Sequence, residues 1–488
     1  MTTGSSKHNT AFLLVLLVLF ISANYSHGKS ESHFDRQLLR KYVYQIPEHI
    51  DDGWDSASLI KQGVDQVKID YLMQDILDER FKNIHSVLLV KNGKLILEEY
   101  FHGYNREKPH EIRSATKSIG SVLTGIAIER GYIKSVDEKI YPHFESYETG
   151  GELDPRVRDV TLKTLLTMTS GYACDDHGPK KFQCERDMYE SGDWVKYAVN
   201  LPMAYQPGEH WAYNSASLWL VGEIISKTSN MAIPEFAEKY LFEPMGIEDF
   251  RWGYSPKGQA WLAGNAEMRP RDMAKFGYLV LNEGRWKRSQ IVSKNWIAES
   301  TREYVRAHGG AYGYGYLWWR GKTIVKNQII ETIAALGNGG QQIHIFPKLN
   351  LVAVFTGGNY NSDLSAQPVD MLIKYIIPAA LPPARSITAA KINSNILKKY
   401  VGQYYFKRMN LTANILIENG NLRFHTREKD KEEIIDLWSE AETKFRGTSK
   451  DVGAFQLTFI KDKNDKVTHF HIYGGFGFTR LRFEKIKE

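Results

Sequence analysis

The sequence holds 488 residues, 42% hydrophobic and 25% charged, an ordinary globular composition with length for about two to three domains. Its net charge of +6 comes from 63 basic and 57 acidic residues spread without a long basic run, which gives no support to nucleic-acid binding. With two cysteines and no His-x-x-x-His or Cys/His cluster, no metal is expected, and no cofactor either.

Lys7 and His8 precede an apolar run over 11–21, and the small residues Ser22, Ala23, Ser26 and Gly28 follow. The run is short for a bilayer span and has the form of a signal-peptide core. Residues 1–28 therefore read as a signal peptide, cleaved after Ala23 or after Gly28, with an uncleaved anchor as the alternative. No second apolar segment of membrane length follows. An exported protein, periplasmic or secreted, with no stable membrane span after cleavage is expected.

A helix is expected near 69–81. Val87-Leu88-Leu89-Val90 and Leu95-Ile96-Leu97 flank Asn92-Gly93 and read as a hairpin, because Asn-Gly adopts the positive φ of a tight two-residue turn. Arg113-Ser114-Ala115-Thr116-Lys117 comes next. Beyond it Ile119, Val122, Leu123 and Ile126 recur at the spacing of an amphipathic helix, and Gly131 stands where that helix would end. Ser114 and Lys117 lie one turn apart on one face. A serine hydroxyl is a weak nucleophile until a neighbour takes its proton, and a lysine serves where its charged form is disfavoured. A helix N-terminus adds positive potential where an oxyanion forms. The four-residue pattern occurs often by chance, so the other motifs must carry weight.

Residues 161–172 read as a short buried helix ending at Gly171. The loop-rich stretch 173–210 holds Cys174 and Cys184, which form a disulfide in an exported chain or stay as two free thiols. Pro207-Gly208 leads to Trp211-Ala212-Tyr213-Asn214-Ser215, and helices follow over 216–227 and after Arg269. Strands are expected across 312–356. Residues 377–383 read as a linker. From about 400 to 483, short strands and turns indicate an all-β module, a small barrel or sandwich. The division is 29–385 for the first domain and 386–488 for the second.

The order Ser114-x-x-Lys117, Thr169-Ser170-Gly171, Tyr213-Asn214-Ser215 and Asn338-Gly339-Gly340 resembles the serine β-lactamase and penicillin-binding superfamily. The likeness lies on its class C and esterase side, near the 6-aminohexanoate-dimer-hydrolase-like enzymes, and covers about 80–360. It implies an α+β, β-lactamase-like fold: an antiparallel sheet flanked by helices, plus a helical lobe, with the active site between them. It implies Ser114 as the acylated nucleophile and Lys117 with Tyr213 as general base, the Lys117 ammonium favouring a phenolate. It implies the backbone N–H groups of Ser114 and Gln341 as oxyanion hole, and Tyr172, Ser215, Asn338, Gly339 and Gly340 around the substrate.

Two positions depart from the family pattern. Ser215 stands where the tyrosine motif usually has Asn, and Asn338 where the third motif usually has a cation. A neutral Asn338 cannot make a charge-assisted bond to a substrate carboxylate. This favours a small-molecule or peptide-like ester or amide over a β-lactam or a D-amino-acid peptide, the alternative substrates. A non-catalytic scaffold is the remaining reading, opposed by the joint presence of Ser114, Lys117 and Tyr213. Among the histidines His210 is a candidate cleft residue. Asp175 and Asp176 read as a solvated loop pair, Asn265 as a loop residue, and Trp211, Trp318 and Trp319 as core. Loops 173–210 and 305–340 shape the pocket. The oligomeric state is not read from the sequence.

Overall fold

The structure is a computed structural model. It describes residues 41–486 except 148–153, 179–183, 327, 383–391, 408–409, 429–430, 450–452 and 475–479. The expected signal peptide and the 385/386 domain boundary lie outside the described residues.

Asn92 and Gly93 both have positive φ, 53° and 75°, so the Asn-Gly turn does what its residue types favour. The hairpin it closes sits in a nine-stranded sheet. In chain order the strands are β1 (Asp55–Ser56), β2 (Ile84–Lys91), β3 (Lys94–Tyr100), β4 (Val305–Ala307), β5 (Tyr312–Tyr314), β6 (Trp319–Val325), β7 (Gln328–Gly337), β8 (Gln341–Phe346) and β9 (Leu351–Gly357). They lie side by side as β1-β3-β2-β9-β8-β7-β6-β5-β4, antiparallel throughout except for β1 with β3. Residues of β2 alternate between two cores: Leu88 and Val90 enter one, Val87 and Leu89 the other.

On the second face lies α1 (Gln66–Leu77), which buries Ile69, Leu72, Met73 and Ile76. It starts earlier than its apolar pattern because Asp65 caps it, accepting from Val67 N at 3.1 Å. On the first face lie α2 (Thr116–Glu129), α3 (Leu218–Ser229) and α4 (Pro270–Leu281). The expected amphipathic character of α2 is corrected: Ser118, Ser121 and Thr124 are buried along with its apolar residues. Two of these hydroxyls find carbonyls, Ser118 that of Leu317 and Thr124 that of Gly120. The helix can therefore run through the molecule's middle, and Gly131 has φ +76° just past its end, as expected.

The linker expected at 377–383 is also corrected. Ile377–Ala380 is helical, and Ile377, Ala379 and Leu381 are buried in the second core. Helical backbone runs on from Gln367 to Ala380, and Pro378 is tolerated because it follows a wider π turn over Leu372–Ile376, where the usual hydrogen-bond ladder is already interrupted.

The C-terminal module is a barrel and not a sandwich. Its strands are β10 (Gly402–Phe406), β11 (Leu411–Glu418), β12 (Asn421–Glu428), β13 (Lys431–Ala441), β14 (Lys444–Ser449), β15 (Gly453–Lys461), β16 (Val467–Gly474) and β17 (Arg480–Lys485). Each pairs with the next, and β17 pairs with β10 to close the ring. An eight-stranded barrel is just wide enough for side chains to fill. Here Tyr400, Tyr404, Phe424, Phe459, Phe470 and Phe483 do so, with Phe470 and Phe483 stacked at 4.9 Å. The barrel leans on β6: a β-carbon on Gly474 would come within 3.0 Å of Ile324 N, and Arg480 N donates to Ala311 O at 2.7 Å.

Candidate active site

Ser114 stands in a 3-10 turn, Arg113–Ala115, that runs straight into α2. Arg113 has φ +50°, uncommon for a residue with a β-carbon. Its neighbours hold it there. Ile112 N donates to Ala266 O at 2.8 Å, Thr116 Oγ1 donates to Arg113 O at 2.6 Å, and the guanidinium pairs with Glu111 at 2.9 Å.

Lys117 follows one turn on and is 2% exposed. Its Nζ donates to Ser114 Oγ at 2.9 Å and to Ala263 O at 2.7 Å. Both acceptors are neutral. The same Nζ lies 4.8 Å from the centre of the Tyr213 ring.

The turn between β7 and β8 closes on this serine. Gly337 leaves no room for a side chain: a β-carbon would stand 2.3 Å from Ile112 O and 3.1 Å from Arg113 Cβ. Gly339 and Gly340 have φ +93° and +97°, a backbone that favours glycine. Gln341 is fully buried, and its side-chain amide clips the turn in place. Nε2 donates to Gly357 O at 2.6 Å and Asn338 O at 3.3 Å, while Oε1 accepts from Gly357 N at 3.1 Å.

Tyr213 is held from two sides. Ala212 N donates to Met168 O at 2.9 Å on one side. On the other, Asp176 N donates to Tyr213 O at 2.7 Å, and Asp176 Oδ2 accepts from Ser215 N at 2.8 Å. Asp176 therefore brackets the motif. Its Oδ1 is buried with no hydrogen-bond partner. Burial first, then nearby Glu185, push its carboxyl up to about 6.

Around Tyr213 the wall is aromatic. His177 stacks on it at 4.4 Å, 4° from parallel, and His308 lies 5.2 Å beyond His177. Trp319 stacks on His308 at 5.6 Å, and Trp211 meets His308 at 4.8 Å. His177 keeps an edge open to solvent, but packing and then the Lys117 ammonium push its imidazole down to about 4. Trp211 and Trp319 thus line the wall, while Trp318 is core, at 0% exposure.

The remaining expected site residues are placed differently. Tyr172 is 2% exposed, bridged to Met203, and burial raises its hydroxyl pKa. Ser215 is 2% exposed. Asn338 faces solvent, with its amide committed to Asn361: Nδ2 donates to Asn361 Oδ1 at 2.7 Å, and Oδ1 accepts from Asn361 N at 2.9 Å. His210 is exposed and stacks on Tyr205 at 4.1 Å. Asn265 has φ +56° two residues past the carbonyl that binds Lys117.

Cys174 and Cys184 are joined in a disulfide, Cα atoms 5.5 Å apart. Ligand atoms of Cys174, Asp176 and Cys184 lie within 4.8 Å of one another, but bonded sulfurs offer no thiolate to a metal. Sequence reasoning missed Asp176 as a bracket and His177 and His308 as wall residues. One signal was available: Asp176 and His177 sit two and three residues past a disulfide cysteine, where a loop is tied down.

The Beta-lactamase family model matches residues 76–370. The chain belongs to the beta-lactamase family. Similar proteins include the lovastatin esterase of Penicillium rubens, 28% identical over 27% of this chain and 33% of that protein. The chain thus spans a third of that relative's length. Protein flp of Staphylococcus aureus strain MW2 is 24% identical over 72% of this chain and 73% of its own. Among solved structures, a putative 6-aminohexanoate-dimer hydrolase from Bacillus anthracis has TM-score 0.52 at 20% identity, covering 62% of this chain and 80% of that one. This likeness concerns the fold, which is the β-lactamase-like fold expected from the motifs.

Proposed function

We propose that this beta-lactamase-family chain is an exported serine hydrolase that cleaves small ester or amide bonds through an acyl-enzyme on Ser114. The observation that carries the reading is the 2.9 Å contact from Lys117 Nζ to Ser114 Oγ, made by a buried lysine whose other acceptor is a carbonyl. Lys117 and Tyr213 together take the Ser114 proton as Oγ attacks the substrate carbonyl. The oxyanion is received by the N–H groups of Ser114 and Gln341, and each such donor is worth about 3–4 kcal/mol in a site of this kind. Tyr213 returns the proton to the leaving group. Water then hydrolyses the acyl-enzyme by the same steps in reverse.

An ester hydrolase and an amide hydrolase among the named relatives support a substrate range of that breadth. Asn338, neutral and tied to Asn361, supports substrates without the carboxylate of a β-lactam. The aromatic wall of Trp211, Tyr213, His308 and Trp319 favours an apolar or planar group beside the carbonyl. The apolar run at 11–21 and the disulfide support export. No helix among the described residues is long and apolar enough to cross a membrane. The domain division at about 385 is supported by the separate aromatic core of the barrel.

The test is intact-mass labelling with a fluorophosphonate, wild type against Ser114→Ala, followed by p-nitrophenyl acetate and nitrocefin assays. One adduct that Ser114→Ala abolishes, with ester turnover far above nitrocefin turnover, is expected. No adduct would overturn the serine assignment, and efficient nitrocefin turnover would overturn the substrate class.

A further inference from the structure

A cavity of about 120 Å³ lies between the sheet and the barrel, lined by none of the residues placed around Ser114. Its floor is one cross-strand row. Gly313 on β5 is the register partner of Arg306 on β4 and of Arg320 on β6. The glycine leaves room between the two arginines, and the Glu303 carboxylate fills it: a β-carbon on Gly313 would stand 2.4 Å from Glu303 Oε2. Its ceiling comes from the barrel, where Tyr473 and Arg480 are register partners on β16 and β17. Gly321, Lys322 and Glu303 complete the lining.

Charge here is unbalanced. Glu303 pairs with Arg306 at 2.7 Å. Glu331 pairs with Lys322 at 2.8 Å and lies 3.6 Å from Arg320. Among the described residues Arg480 makes no ion pair, so four cations face two carboxylates. The arginine side chains of the floor are only 22% and 21% exposed, which limits screening by water. Burial and then Arg480 push Arg306 down to about 10, the direction expected where like charges crowd.

We propose that this interdomain cavity binds a small dianionic oxyanion, a phosphate or a dicarboxylate, held above the floor that Arg306, Glu303 and Arg320 form on the sheet, by Arg320 and Lys322 from below and Arg480 of the barrel from above. Guanidinium forks match such oxygens two at a time, and the Tyr473 hydroxyl offers a further donor. Because floor and ceiling belong to different folding units, a bound anion fastens one to the other. The site is independent of the Ser114 chemistry.

The experiment uses the full mature chain carrying Ser114→Ala, so that the catalytic centre is silent. Thermal unfolding is followed against inorganic phosphate or succinate, with ionic strength held constant by sodium chloride. Expected is a saturable rise in Tm of about 2–4 °C with at least one of the two anions, lost in Arg320→Gln and in Arg480→Gln. The exposed-surface control Arg285→Gln keeps the response. Whichever anion acts at lower concentration identifies the class. If Arg320→Gln fails to fold, Arg480→Gln on the barrel carries the comparison. A Tm that follows only ionic strength, or an equal response in Arg480→Gln and Arg285→Gln, overturns the proposal.

Discussion

Strand β6 presents two different chemistries one residue apart. Trp319 turns toward Tyr213 and His308 and helps build a neutral aromatic wall. Arg320 turns to the opposite face, toward Arg306, Glu303 and the barrel. The period-two alternation of a strand separates the two sides, so one short element can serve both with little cross-talk. Substitutions on one face are expected to leave the other unmoved.

The largest expected effect is on the neutral face. Ser114→Ala should cut initial rates of p-nitrophenyl ester hydrolysis by about 10³-fold or more. An anion response in thermal unfolding should survive in the same variant. Next comes the wall. Trp319→Ala should lower kcat/KM about tenfold and also cost about 3–5 kcal/mol of stability, since Trp319 is only 9% exposed. Lys322→Ala, three positions away and on the other face, should change rates less than twofold. Equal losses in the two variants would mean the faces are not separate.

A subtler contrast lies within the neutral site. The Asp176 carboxyl is raised from 3.8 to about 6 in the folded protein. Between those values the folded state keeps a proton that the unfolded chain has released. That contribution to stability is full below about pH 4 and is lost as pH rises through about 6. His177 is lowered from 6.5 to about 4, so its contribution is full above about 6.5 and is lost as pH falls through about 4. The two slopes oppose each other. In Asp176→Asn, Tm should climb from pH 4 to 6.5 more steeply than in wild type. In His177→Asn it should decline over pH 4 to 6. The open edge of the His177 ring makes its limb the shallower. Identical profiles in both variants would remove the coupling. The smallest effect is expected at Asn338→Lys: the added cation should raise nitrocefin turnover by about threefold at most, because the side chain sits in solvent beside Asn361 where charge is screened.

Much of the fold was legible because it is written locally. Asn92-Gly93 announces its hairpin, and the spacing of Ile119, Val122, Leu123 and Ile126 announces α2. What the apolar period could not reveal is that α2 is buried all round, because Ser118 and Thr124 find partners that are remote or internal to the helix. The 377–383 segment misled for a related reason: proline and alanine suggest a linker, yet Pro378 fits just behind a π turn of a continuing helix and Ile377 reaches the core. Strand β13 is hard to read in the sequence because the charged run over 427–433 hides the alternation of Ile435 and Leu437. At the candidate site, the motif residues Ser114, Lys117 and Tyr213 could be picked out by their order. The stack of His177, His308 and Trp319 could not, since it joins loops and a strand more than 100 positions apart.

Gln341 carries one further consequence. Its amide stands in for a missing peptide unit, presenting a donor to Gly357 O and an acceptor to Gly357 N. Glutamate in its place would set oxygen against oxygen at Gly357 O and Asn338 O, so chemical ageing by deamidation would prise the glycine turn from Gly357. Complete burial keeps out the water that this reaction needs. The working life of the turn is therefore governed by how rarely the sheet opens there.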